Sequence, residues 1–201
     1  MESRYEKMNL GKKLKQAIPP TNSQMDIILT KYIAMEGTLR LLSVHREVLK
    51  ARFSSSFLRM IEERATELSC DVENKVAMQE SVHYMQPIGE GGIYAALWEL
   101  AKKLEVGIMI DGNSISICQE TIEICEFFGV NPYKMASKGS VLMVTQNGER
   151  LQKALSNHGI NSTMIGRTTG DNQKIIHRGE DIRFIDRPAP DELWKVLKKE
   201  E

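Results

Sequence analysis

The sequence has few cysteines, prolines and aromatic residues, and it has no excess of charge of either sign. Lys and Arg together number 27, as do Asp and Glu, so the formal net charge at neutral pH is zero. Proteins that bind nucleic acid or anionic membranes usually carry a broad basic surface, which this balance does not favour. We therefore expect neither a nucleic-acid partner nor a membrane partner.

The three cysteines, Cys70, Cys118 and Cys125, cannot pair evenly. Cys118 and Cys125 fall two turns apart on a predicted helix, which is too far for an undistorted disulfide. The sequence has no CxxC pair, no HExxH pattern and no Cys/His cluster with zinc spacing. We therefore expect reduced, buried thiols, no metal and a cytoplasmic location.

Long hydrophobic runs are also absent, since no apolar stretch approaches the roughly 20 residues that cross a bilayer, and the N-terminus lacks the apolar core of a signal peptide. The 201 residues suffice for one sizeable domain. Residues 1–24 are predicted to be a polar tail, with a short helix carrying Leu10, Leu14 and Ile18 and a linker at Pro19-Pro20. The domain is expected to occupy residues 25–201.

Apolar runs and turn residues alternate along the rest of the chain. Strands are predicted at 25–33, 82–85, 106–111, 140–145 and 161–166, with a hairpin formed by 174–177 and 182–185. Helices are predicted at 38–50, 57–68, 71–81, 93–104, 116–128 and 147–157, with a C-terminal helix after Asp191. Thr38 is an expected N-cap, the run Ser54-Ser-Ser56 offers a second, and Asn147-Gly148 is expected to open a further helix. The alternation predicts an α/β (α+β) fold, a single layered domain with a mixed β-sheet covered by helices.

The most informative stretch is the turn Pro87-Ile-Gly-Glu-Gly-Gly92, which precedes a helix with apolar positions spaced by three and four. Glycines let a backbone approach a ligand, and the first turn of a helix leaves N–H groups without intrahelical partners. Gly89, Gly91 and Gly92 therefore predict either an anion or substrate site, or a turn that only needs glycine for geometry and close packing. Glu90 would either orient a ligand or complement the positive end of the helix. Lys138, before a predicted strand, is a further candidate ligand.

Five motifs resemble the aminoimidazole ribonucleotide synthase superfamily and follow its order over about residues 25–197. They are Asp26-Ile-Ile-Leu-Thr-Lys31 with Met35-Glu-Gly-Thr38, Glu90-Gly-Gly92 before Ala95–Ala101, Glu120–Cys125, Phe128–Pro132 and Gly139–Met143. The sequence is most similar to hydrogenase-maturation proteins of the thiocyanate-forming dehydratase type. The resemblance is to the second, C-terminal domain of these proteins and implies its fold.

The resemblance also implies departures from the usual activity. Relatives carry most of the Mg·ATP site in a first domain, which we expect to be absent here. Where relatives place polar residues before the glycine turn, this chain has Gln86, Pro87, Ile88 and Gly89, and Pro87 can neither accept a proton nor hold a metal. The maturation dehydratases use a C-terminal cysteine, whereas no cysteine follows Cys125. We expect no catalytic residue and no cofactor, with Mg·ATP bound only if a partner supplies the first domain.

Two functions are compatible with these features, and the sequence leaves open whether the chain is an enzyme. The first is a non-catalytic binding or scaffold module, which is expected to form a homodimer. The alternative is the substrate-side subunit of a split ATP-dependent enzyme, with the ATP-binding domain on a separate chain. The alternative predicts an exposed apolar surface where the first domain would dock. A separate possibility is that the chain by itself binds a small phosphate-bearing anion or nucleotide through Gly89 to Gly92 and Lys138.

Overall fold

Seven strands form one sheet with helices on both faces in the computed structural model, which describes residues 24–197. The strands are β1 Asp26–Thr30, β2 Val82–Pro87, β3 Gly107–Asp111, β4 Val141–Thr145, β5 Ser162–Thr169, β6 Lys174–Arg178 and β7 Asp181–Phe184. The helices are α1 Met35–Val44, α2 Arg46–Arg52, α3 Ser55–Glu63, α4 Asp71–Gln79, α5 Gly92–Leu104, α6 Gln119–Phe128, α7 Gly148–Asn157 and α8 Trp194–Leu197, and 3₁₀ turns occupy Arg64–Leu68 and Pro132–Lys134. The predicted N-terminal helix and Pro19-Pro20 linker lie outside the described residues.

The order of the strands across the sheet is β2-β4-β1-β5-β3-β6-β7. Strands β3 and β6 pair in parallel, and the other neighbouring strands pair antiparallel. Strands β6 and β7 form the hairpin that the sequence predicts. The prediction of a layered α/β domain with a mixed sheet is therefore confirmed.

The sheet separates two apolar cores, because successive side chains of a strand point to opposite faces. Ile27 and Leu29 of β1 enter the larger core with α5 and α6, whereas Ile28 enters the smaller core beneath α4 and α7. All five residues of β4 are buried. Two-sided burial explains why β1 and β4 read as continuous apolar runs rather than as alternating patterns.

Helix α5 buries the face that its spacing predicts. Its buried positions include Ile93, Ala96, Leu97, Leu100, Ala101 and Leu104. Full burial of a leucine such as Leu97 stabilises the fold by about 1.5–3 kcal/mol. Two lysines in the last turn complement the negative end of the helix, and Glu105 ends it in a left-handed conformation. The helix is thus anchored in the larger core directly after the glycine turn.

The predicted N-cap at Thr38 is wrong. Helix α1 begins at Met35, with Ala34 in the N-cap position, and Thr38 lies buried within the helix. The Thr38 hydroxyl donates to the carbonyl of Ala34 at 2.9 Å instead of capping a helix. Backbone groups near the helix start bond to a distant loop, since Ala34 N donates to Ser137 Oγ at 2.7 Å. This tertiary contact replaces the local cap that the sequence suggested.

Several helix and strand limits also differ from the prediction. The helix expected at 38–50 is interrupted at His45, and the one expected at 57–68 ends at Glu63 and continues as a 3₁₀ turn. Helix α6 begins at Gln119, so Cys118 is its N-cap rather than a helical residue. Strand β5 extends to Thr169 because it pairs along its length with β1 and β3.

Two helix starts agree with the sequence prediction, and one of the three cysteines does not. The Ser54 hydroxyl accepts from Phe57 N at 3.2 Å, and Asn147 Oδ1 accepts from Arg150 N at 3.0 Å, as expected for N-caps. The three cysteines are free thiols. Cys118 and Cys125 are buried as expected, but the expectation of burial is wrong for Cys70, which is only half-buried. Between residues 24 and 197, the structure contains no helix of sufficient length and apolarity for a membrane span.

Candidate functional site at the glycine turn

The glycine turn connects β2 to α5 at one end of the sheet. Pro87 pairs with Val141, and Ile88 N donates to the carbonyl of Ser140 at 3.0 Å. The residues that lead into β4 therefore lie beside the turn. Gly91 has a φ of 76° and Gly92 a φ of 67°, values that strain a residue with a side chain.

Gly92 makes a close contact with the backbone of the 3₁₀ turn Pro132–Lys134. A Cβ atom on Gly92 would lie 2.6 Å from the carbonyl oxygen of Tyr133 and 2.7 Å from Met135 N. Gly89 is exposed, and a Cβ atom on it would have no neighbouring atom within 4 Å. Gly92 thus allows the start of α5 to pack against the 3₁₀ turn, whereas a side chain at Gly89 would meet no neighbouring atom.

The N-terminal end of α5 is occupied by a carboxylate of the same chain. Gly91 N donates to Asp191 Oδ2 at 2.8 Å, and Leu193 N donates to Asp191 Oδ1 at 3.0 Å. Asp191 is only 5% exposed. A carboxylate is favourable here because the free N–H groups and the helix dipole create a positive potential. Asp191 therefore uses a donor that the predicted anion would need.

The segment that carries Asp191 is fastened to the 3₁₀ turn by its next residue. Glu192 N donates to the carbonyl of Lys134 at 3.1 Å, and its largely buried carboxylate pairs with Lys195 Nζ at 2.6 Å. Leu193 is buried in the larger core. These contacts hold the C-terminal segment across the glycine turn.

Two tyrosines and an arginine border the turn and were not predicted from the sequence. The rings of Tyr94 and Tyr133 stack with centroids 5.3 Å apart, and the Arg178 guanidinium lies 4.4 Å from the centroid of Tyr133. Burial raises the pKa of Tyr94, an effect that the nearby Arg178 opposes. A guanidinium is a good ligand for phosphate oxygens. No motif marks these residues, because three separate elements contribute one each.

Lys138 and Glu90 are exposed at the same end of the sheet. Lys138 lies two residues before Ser140, and its backbone N–H donates to Glu36 Oε2 at 3.0 Å. The predicted site residues Gly89, Glu90, Gly91, Gly92 and Lys138 are thus brought to neighbouring segments. Their role in anion or substrate binding remains a prediction.

The described part of the chain contains no group of three or more His, Cys, Asp or Glu side chains placed to hold a metal ion. Exposed ionisable groups near the turn include Glu90, Lys138 and Arg178. Such a site supplies charge for binding an anion.

A mixed sheet of this order, with a glycine turn opening a helix at its end, defines the class of domain. Residues 27–178 match the family described as AIR synthase related protein, C-terminal domain. The chain belongs to this family. The resemblance predicted from the sequence motifs is therefore confirmed.

Two curated relatives connect the chain with hydrogenase maturation. A putative hydrogenase expression/formation protein of Methanocaldococcus jannaschii is 32% identical over a region that covers 57% of this chain and 36% of the relative. Carbamoyl dehydratase HypE of Rhizobium leguminosarum bv. viciae is 28% identical over 47% of this chain and 28% of the relative. The chain thus aligns with about a third of the length of these proteins.

Solved structures share the fold at low sequence identity. E. coli HypE, a hydrogenase maturation protein, superposes with a TM-score of 0.69 and 17% identity, covering 89% of this chain and 53% of that structure. A chain of the HypE–HypF complex gives a TM-score of 0.63 and 19% identity, covering 87% and 55%. AaThiL complexed with AMPPCP and TMP gives a TM-score of 0.55 and 16% identity, covering 78% and 49%. This chain spans about half the length of each structure.

Proposed function

We propose that this chain is a non-catalytic binding module of the AIR synthase-related family, akin to hydrogenase-maturation factors. The hydrogen bond from Gly91 N to the buried Asp191 carboxylate carries the proposal. An incoming phosphate would have to displace this carboxylate and would meet its negative charge. The Asp191 carboxylate therefore occupies the Gly91 N–H in the folded protein, and this N–H is not available to an anion from solution.

The chemistry of the turn supports a binding role rather than a catalytic one. Pro87 is exposed at the end of β2, where it offers no proton donor, no proton acceptor and no metal ligand. Glu90 supplies one exposed carboxylate beside Gly91, whereas the second carboxylate there, that of Asp191, is buried and accepts from Gly91 N and Leu193 N. A small phosphate-bearing ligand would rely on Arg178 and Lys138 for charge, and on main-chain N–H groups that remain accessible.

An open sheet face supports a second proposal, in which the chain works with a protein partner. Met109, Ile175 and Phe184 follow one another in register across β3, β6 and β7, and Ile182 lies on the same side as Phe184. Met109 is 48% exposed, Ile182 67% and Phe184 68%. We define these four residues as the open sheet face. On this side of the sheet, helices α4 and α7 pack against β1, β2 and β4 to form the smaller core. The open sheet face lies on the remaining strands β3, β6 and β7.

The open sheet face suits a second copy of the chain or a separate chain that carries an ATP-binding domain. Contiguous exposed apolar groups of this kind are typical of protein docking surfaces. The HypE–HypF structure is a protein complex of a related fold, which makes a protein partner a reasonable proposal here. Under this second proposal, the chain would be the substrate-side subunit of a split ATP-dependent enzyme.

Titration of the purified chain with Mg·ATP by calorimetry, with light scattering on the same sample, tests both proposals. A non-catalytic module predicts no binding and a stable dimer. Micromolar binding would contradict it, because a nucleotide site would then exist without a partner. Lack of binding by an aggregating monomer would favour the split enzyme. Asp191→Asn, with the exposed Asp186→Asn as control, tests whether removing the carboxylate charge allows binding of inorganic phosphate.

A further inference from the structure

Lys31 places a positive charge inside a ring of oxygen atoms at the end of β1. Its Nζ atom lies 2.6 Å from the carbonyl oxygen of Ser69 and 3.3 Å from those of Glu67 and Gly139. It also lies 2.7 Å from Glu73 Oε1. The Lys31 side chain is only 12% exposed. We call these three carbonyls and the Glu73 carboxylate the oxygen cage.

The oxygen cage requires a cation for electrostatic reasons. Glu73 is completely buried, and its Oε2 atom receives no hydrogen bond from any residue between 24 and 197. A buried carboxylate without a positive partner is strongly unfavourable. The carbonyl dipoles of Glu67 and Gly139 also converge on the same point, and they would repel one another if that point were empty.

The backbone adopts left-handed conformations at two residues of the cage, Gly139 and Lys31. Gly139 has a φ of 94°, and a Cβ atom there would lie 2.2 Å from the carbonyl oxygen of Glu67. Lys31 itself has a φ of 56°, in the left-handed region that favours glycine. Both residues thus hold unusual backbone conformations where their segments meet around one positive charge.

We propose that the oxygen cage is a monovalent-cation site that is filled from within by the Lys31 ammonium group. Carbonyl oxygens that replace a hydration shell bind potassium in other proteins, and an ammonium group is similar in size and charge. Lys31 is therefore a positioning residue. It fixes Gly139, and with it the Lys138 segment that leads into β4 beside the glycine turn. The proposal concerns a cluster separate from Asp191 and does not depend on the proposed function.

Replacing Lys31 by glycine gives a direct test, because glycine suits the left-handed backbone and leaves the cage without its charge. We expect the melting temperature of Lys31→Gly to be at least about 3 °C higher in ammonium or potassium chloride than in tetramethylammonium chloride of equal ionic strength. The wild-type protein should show no such difference. Equal melting temperatures for Lys31→Gly in all three salts would overturn the proposal.

The response should also require the Glu73 carboxylate. The double variant Lys31→Gly/Glu73→Gln should lose the preference for the small cations, whereas Lys31→Gly with the exposed Lys102→Gln substitution should keep it. A response that survives in the Glu73→Gln background would place the cation elsewhere and contradict the assignment.

If Lys31→Gly does not fold, amine labelling of the wild-type protein tests whether the Lys31 ammonium group occupies the oxygen cage. Mass spectrometry should show that Lys31 reacts at least about ten-fold more slowly than the exposed Lys102, because its ammonium group donates to the cage in the folded state. Similar rates for Lys31 and Lys102 would show that the ammonium group does not reside in the cage and would refute the proposal.

Discussion

The backbone N–H of Gly91 donates a hydrogen bond to the carboxylate of Asp191, a residue 100 positions later in the chain. This contact closes the N-terminal end of α5 with a group that belongs to the protein itself. It also ties the C-terminal segment to the glycine turn. The glycine turn is consequently part of the folding unit, and its properties depend on a distant residue.

Substitution of Asp191 should measurably destabilise the protein. Asp191→Ala removes a buried, charge-assisted acceptor from Gly91 N and Leu193 N, and we expect a loss of about 1.5–3 kcal/mol in the free energy of unfolding. Asp191→Asn keeps an acceptor oxygen and should lose less. Urea unfolding at neutral pH measures both. Equal stability of Asp191→Ala and the exposed control Asp186→Ala would show that the contact adds nothing.

The two glycines of the turn should respond differently to alanine. Gly92→Ala places a Cβ atom against the carbonyl of Tyr133 at a left-handed residue, so we expect a loss of about 2 kcal/mol or more. Gly89→Ala meets no neighbouring atom within 4 Å and should stay within about 0.5 kcal/mol of the wild type. Thermal or urea unfolding compares them. Comparable losses at both positions would argue against the packing role of Gly92.

Alkaline pH should weaken the fold through its buried thiols. Burial raises the pKa of Cys118 to about 11 and that of Cys125 to about 12. An unfolded thiol has a pKa of about 8.5, so the folded state retains its protons to higher pH. The thiol contribution to stability is therefore complete below about pH 8.5 and falls by up to about 1.4 kcal/mol per pH unit per thiol up to the folded pKa.

Urea unfolding between pH 7 and pH 10 measures this dependence. Cys125→Ala should show a shallower loss of stability with pH than the wild type, even though it starts from a lower value. Thiol labelling of the native protein supplies an independent readout, in which the partly buried Cys70 should react before Cys118 and Cys125. The prediction fails if the pH dependence is the same with and without Cys125.

A polar residue on the open sheet face should reduce association and leave the fold intact. Phe184→Ser removes an exposed aromatic ring, so we expect a change in unfolding free energy within about 0.5 kcal/mol. Light scattering should show less dimer or aggregate, because the contiguous apolar surface is interrupted. Glu180→Ser, in the same hairpin, is the control and should associate like the wild type. Unchanged association of Phe184→Ser would exclude this face as the contact.

The periodic parts of the sequence predicted much of the fold. The three-and-four spacing from Ile93 to Leu104 marks the buried face of α5, and apolar runs mark β1 and β4. The N-cap predicted within Ser54-Ser-Ser56 falls on Ser54, and the helix predicted to open at Asn147-Gly148 is capped by Asn147. A side chain that bonds to the first turn of its own helix needs no distant partner, so such caps can be found from the sequence. The family resemblance followed from motifs that keep the same order along the chain.

Thr38 shows where local reasoning fails. Its residue type suggests an N-cap, yet the structure uses it inside α1 because Ser137 and Ala136 satisfy backbone donors at the helix start. The Lys31 cage was likewise missed, since its oxygens come from backbone carbonyls that carry no sequence signal. The tyrosines beside the glycine turn are ordinary residues in separate elements.

Burial patterns, turn residues and caps are local properties, so the amino-acid order was enough to determine the fold class, most strands and helices, and the position of the glycine turn. The occupant of that turn, the charge within the oxygen cage and the open sheet face depend on contacts between residues far apart in the chain. Hydrogen bonds and ion pairs form only between groups that the fold brings to within about 3–4 Å, and no spacing rule along one sequence specifies which groups those are.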